Sequence, residues 1–155
     1  MDTLWTSAIA VLGTLLGSAA THAFQQQTAR RGERLTREER LRQERLAAYT
    51  AFSRALTEYR RSLYVRFNVE HERAAEDRQD TARWDTYTYR SAAEQALVHI
   101  RLLPDDAALV ELAQHALTSA HELRQAADQS GMSARRERAK VAHDAFLAAA
   151  ADRMR

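Results

Sequence analysis

Residues 46–67 read LAAYTAFSRALTEYRRSLYVRF. Leu46, Tyr49, Phe52, Leu56, Tyr59, Leu63 and Phe67 recur at steps of three or four. That spacing lines one face of an α-helix, and a helix with such a face needs helical partners. It is the strongest periodicity in the chain. Downstream the pattern fades in the charged stretch 70–80, where a first turn is expected. A second helix is expected over 81–103, burying Trp84, Tyr87, Ala93, Ala96, Leu97, Ile100 and Leu103. Pro104 stops it, and Pro104-Asp105-Asp106 opens a third with acids at its positive end. Leu109, Leu112, Ala113, Ala116, Leu117, Ala120 and Leu123 give that helix its core face. Gly131 is expected to end it, and Ser133 to cap a fourth that buries Ala139, Ala142, Phe146, Ala149 and Ala150. Four such segments joined by short connections fold most simply as an up-down-up-down bundle over residues 46–155. The many alanines at the contacts predict close helix approach and a slim core.

Composition agrees with an all-α fold. Four Gly and one Pro in 155 residues leave little turn punctuation for a sandwich, a barrel or a Rossmann-type sheet. The hydrophobic share of 45% argues against wholesale disorder, and the length suits one core. With no Cys, disulfides, thiolate metal sites and a cysteine nucleophile are excluded.

Upstream of the first apolar face, charge is strongly partitioned. Residues 3–29 hold no Asp, Glu, Lys or Arg, and residues 30–61 hold ten Arg against five acids. The apolar part, residues 4–24, would span about 30 Å as a helix, the thickness of a bilayer core. Leu4, Trp5, Leu12, Leu15, Leu16 and Phe24 supply its hydrophobic side chains. A cleavable signal peptide would want a positive N-terminal region, where this chain has Asp2. Burial as a soluble helix fits poorly with the arginines that follow the span directly. The reading is an uncleaved membrane anchor over 1–24, then a basic juxtamembrane helical stalk over 25–45. By the positive-inside rule the short N-terminal tail lies outside and the C-terminal domain in the cytoplasm. Arg30, Arg31 and Arg34 are placed to meet anionic lipid heads.

Within the span, Ala10, Gly13, Gly17 and Ala20 form a strip of small residues. The strip suits either a homodimer by close helix packing or simple accommodation in lipid. Direct nucleic-acid contact by the arginine stretch is disfavoured, because Glu33, Glu38, Glu39 and Glu44 dilute its field. The histidines do not make a di-iron pattern: Glu111 to His115 and Glu94 to His99 both miss the Glu-x-x-His spacing. They are expected to be exposed or partly packed. No catalytic residue, cofactor or metal site is expected, and an enzyme is disfavoured because no nucleophile, metal cluster or phosphate loop can be named.

The stretch AVLGTLLGSAATHAFQQQTARRGERLTREE, residues 10–39, resembles the N-terminal part of small actinobacterial KilB-like proteins. The shared order is a Gly-containing span, Gln-Gln, Thr-Ala-Arg, an Arg/Glu helix and a helical cytoplasmic region. The use of 22 Arg against the single Lys140 fits a GC-rich genome of that kind. The resemblance implies a membrane-associated role in the intermycelial spread of conjugative plasmids, with a protein partner in the transfer apparatus. The other reading of the residues is a membrane-tethered, partner-binding or regulatory helical module unrelated to plasmids.

Overall fold

The computed structural model describes residues 2–103 and 107–155, with side chains from residue 36 onward. The chain is all-helical: α1 Asp2–His71, α2 Glu76–Arg101, α3 Ala107–His121, a 3-10 turn Glu122–Gln125 and α4 Gln129–Asp152. It divides into two compact units, Met1–Arg42 and Gln43–Arg155. In the first, residues 36–40 are exposed and Leu41 is half-buried. Among the residues with described side chains, no helix is long and apolar enough to cross a membrane. The span read over residues 4–24 lies outside them, as does the expected third-helix start at residues 104–106.

The second unit is the four-helix bundle. Phe52, Leu56 and Tyr59 are fully enclosed, and Tyr49, Leu63 and Phe67 nearly so. They meet helices faced largely with alanine: Ala93 and Ala96 on α2, Ala113, Ala116 and Ala120 on α3, Ala139 and Ala142 on α4. Phe146 is the one large ring answering from α4, edge-on to Phe52 at 5.0 Å and to Tyr49 at 6.2 Å. The α1–α4 pairing is antiparallel: Tyr49 and Phe52 meet Phe146, while Arg136 lies 4.3 Å over the ring of Tyr64. At the far end of α1, His71 reaches the carbonyl of Ala127.

Several expectations are corrected. Leu46 is 54% exposed, so the α1 stripe enters the core one turn later, at Tyr49. Trp84 and Tyr87 are exposed, at 73% and 57%. At 3.6 residues per turn they lie roughly 160° and 140° around α2 from the enclosed Ile100 and cannot share its face. The inward positions in that half of the helix are Ala82 and Thr86, and the Thr86 hydroxyl donates back to the carbonyl of Ala82. Leu103, Leu112, Leu117 and Ala149 are only partly buried at the edge of the core.

The helix ends differ too. The first turn takes only residues 72–75, because α1 closes with paired bonds from Arg73 N–H to Glu70 O and from Ala74 N–H to Val69 O. Arg73 holds the left-handed conformation, φ 50°, that such an ending usually assigns to glycine. Likewise α3 stops at His121, and Gly131 lies inside α4 rather than ending α3. The cap of α4 is Asp128, not Ser133. Its carboxylate accepts from Gly131 N–H at 2.6 Å, while the Ser133 hydroxyl donates to Gln129 O.

Two measurements check this packing. Leu56→Ala should lower the unfolding free energy by about 2–5 kcal/mol, as deletions of enclosed leucines do. Asp128→Ala should lower it by about 1 kcal/mol, whereas Ser133→Ala should leave it nearly unchanged. Both are read by urea unfolding followed by circular dichroism.

Candidate functional site

Beside the apolar stripe of α1, polar positions face α4 across a contact narrowed by alanines. There His143 is buried and bonded on both nitrogens: Nε2 to Ser53 Oγ at 2.9 Å, Nδ1 to Arg60 Nη1 at 3.3 Å. A guanidinium only donates, so Nδ1 is the accepting nitrogen. Nε2 therefore carries the hydrogen and donates it to the serine oxygen. A nucleophile–base pair needs the opposite polarity, with the imidazole taking the serine proton. The triplet joins α1 to α4 and does not activate Ser53. Burial first, and the charge of Arg60 second, hold the His143 imidazole below its ordinary range, against an opposing pull from Asp144.

A second polar contact joins α1 to α3. Tyr59 Oη lies 3.0 Å from His121 Nδ1, and burial raises the phenol above its usual range. Burial, then Arg90 and Arg124, lower His121. Both shifts favour the uncharged forms, so the hydrogen bond joins a neutral phenol to a neutral imidazole. This pair lines a cleft of about 230 Å³ with Arg90 and Glu94, which are themselves paired at 2.8 Å. A more apolar groove of about 380 Å³ runs between α1 and α4, lined by Leu46, Tyr49, Ser53, Leu147, Ala150 and Met154. Among the described residues no three His, Asp or Glu side chains are grouped to hold a metal ion.

The residues singled out from the sequence lie elsewhere. Leu4, Trp5, Leu12, Leu15, Leu16 and Phe24 of the span, Ala10, Gly13, Gly17 and Ala20 of the small-residue strip, and Arg30, Arg31 and Arg34 all fall on α1. Their side chains lie outside the described residues. Sequence reasoning missed His143 and His121 as links between helices, and His71 as a link from α1 to the loop before α4. One signal was available for His143: it stands one turn before Phe146 and one turn after Ala139, on the inward face of α4.

Acid should loosen these links. The unfolded chain takes up protons on its histidines near pH 6.5, while folded His143 and His121 resist protonation. The unfolded state then binds more protons, so stability falls as the pH drops through that value. The urea midpoint should therefore be lower at about pH 5.5 than at about pH 7.5, and His143→Gln should flatten the difference. An unchanged slope in that variant would mean that other groups, His121 first among them, set the response.

Comparison with known proteins places the chain. Protein KilB of Streptomyces lividans is 34% identical over 148 residues, covering 96% of this chain and 97% of that one. No solved structure matches. The family model described as KilB plasmid transfer protein matches residues 46–154, the helical bundle. The likeness read from residues 10–39 is thus met by a match in the domain where the residues alone had pointed only to helices. With the bundle matched from its first face to its last helix, and a relative aligned along nearly its whole length, the chain belongs to the KilB plasmid transfer protein family.

Proposed function

We propose that the protein is a single-pass membrane protein whose helical domain lies in the cytoplasm. It serves there, without catalysis, as an accessory or scaffold factor in the intermycelial spread of conjugative plasmids. The observation that carries this reading is the alignment with the Streptomyces lividans protein along 96% of the chain, with the family match over the bundle. The anchor is supported by the uncharged residues 3–29 and the arginines that follow them. In this reading Arg30, Arg31 and Arg34 meet anionic headgroups, each contributing about 1 kcal/mol near such a surface. The bundle supplies recognition surface, and its polar interior links serve shape. His143 is the clearest case, with its bonding directions set against activation of Ser53.

The test is deletion in the native mycelial host, scoring primary transfer and later spread separately. Spread should shrink while primary transfer persists; unchanged spread would sink the proposal. In fractionation the chain should pellet with membranes and resist high salt and alkaline washing. A reporter fused after Arg155 should work only if it is one that functions in the cytoplasm.

A further inference from the structure

One cleft of the bundle gathers hydrogen-bond donors that the packing leaves uncommitted. It opens between α2 and α3, about 230 Å³ in volume, with Tyr59 of α1 on its floor. Arg90 and Glu94 line one side, and Leu117, Thr118 and His121 the other. Tyr59 Oη and His121 Nδ1 lie 3.0 Å apart, and among the described residues neither side chain has a second hydrogen-bond partner. Whichever way that bond runs, the pair keeps one hydrogen to give. It is the imidazole Nε2–H if the phenol donates, and the phenol O–H if Nδ1–H does. Arg90 engages Glu94 through Nε, which leaves its two terminal nitrogens to donate elsewhere.

The charge around this cleft is unbalanced. One turn beyond Tyr59 and His121, Leu63 and Arg124 line a smaller cleft of about 110 Å³ with Arg66 and Glu70. Arg66 pairs with Glu70 and Arg90 with Glu94, both at 2.8 Å. Among the described residues Arg124 has no acid within ion-pair distance. Three guanidinium groups thus stand against two carboxylates. The excess reaches the larger cleft: burial first, then Arg90 and Arg124, hold the His121 imidazole below its ordinary range, against Glu94. The same two arginines and Arg66 act on Tyr59, where burial outweighs them. A neutral donor pair under surplus positive charge suits an anion, not a cation or a metal ion.

Size narrows the ligand further. Pockets that enclose a drug-sized molecule run to roughly 300–1,000 Å³. This cleft therefore takes one charged group with few atoms attached, and not a nucleotide. Guanidinium and imidazole or phenol donors match the oxygens of phosphate and carboxylate, and charge strengthens those bonds. We propose that the cleft between α2 and α3 binds a small oxyanion, a phosphate or carboxylate group held by Arg90, Arg124 and the Tyr59–His121 pair. Glu94 tempers the affinity, because its carboxylate repels the ligand and competes with it for Arg90. The site does not depend on the proposed role in plasmid spread.

Full-length protein in a nonionic detergent, with its histidine rings isotope-labelled, tests the site by NMR titration. His121→Gln identifies the His121 signal among the six histidines. Inorganic phosphate and acetate are added in separate arms, each compared with sodium chloride at equal ionic strength. At least one of them should shift the His121 signal saturably at millimolar concentration while the His143 signal stays in place. The bound anion should also raise the pH at which His121 titrates, because a nearby negative charge favours the imidazolium. Phosphate alone would identify a phosphate ligand, acetate alone a carboxylate, and both the shared oxyanion chemistry. Two substitutions at exposed positions then pull in opposite directions. Arg124→Gln should weaken binding about tenfold, the loss of one charge-assisted hydrogen bond. Glu94→Gln should tighten it severalfold, which a merely destabilising change could not do. Shifts matched by sodium chloride, or spread alike over all six histidines, would overturn the proposal. So would binding that Glu94→Gln leaves unchanged or weakens.

Discussion

One constraint organises the bundle: α1 supplies most of the bulk, and the other three helices supply much of the closeness. Phe52, Leu56 and Tyr59 fill space that alanines on α2, α3 and α4 leave open. An alanine face buries little area by itself, so its helices stabilise the fold only by approaching until backbone and Cβ atoms touch. That closeness has a polar consequence. Ser62 and Thr86 sit buried where helices meet and return their hydroxyls to carbonyls of the preceding turn, Tyr59 O and Ala82 O. Ser53, Tyr59, His121 and His143 satisfy one another across the contacts. A buried polar group left unpaired costs about 1–3 kcal/mol, so the pairing is part of what makes one packing preferable to its neighbours.

The same division explains what could be read from the residues. The face of α1 is legible because its members are large and regularly spaced: from Tyr49 to Phe67 every expected position is buried. Alanine is common on both sides of α2, so the eye falls on Trp84 and Tyr87, which lie on the wrong side of it. Helix ends were hard for a related reason. Arg73 occupies a conformation usually given to glycine, and the real glycine at 131 stands inside α4, where its N–H meets the Asp128 carboxylate. The histidine links were hidden because each bond joins residues distant in sequence: 62 positions for Tyr59 and His121, 90 for Ser53 and His143.

The functional evidence comes from different parts of the chain. Residues 10–39 hold most of an uncharged run and the arginines that follow it, the pattern on which the proposed anchor rests. Residues 46–154 carry the family match. In the proposed scaffold role, the recognition surface is to be sought on the faces that the alanine contacts do not consume.

The alanine faces also direct how such a sequence can drift. A large residue of α1 can exchange for another of similar volume, because neighbouring side chains re-pack around it. Ala113, Ala116 or Ala139, each fully enclosed, has no such freedom. A single added methylene there pushes two backbones apart and loosens every contact along that seam. Divergence within the family is thus channelled: size is negotiable on one helix and capped on three. Relatives that share little identity should keep the small residues in register long after the aromatic ones have changed.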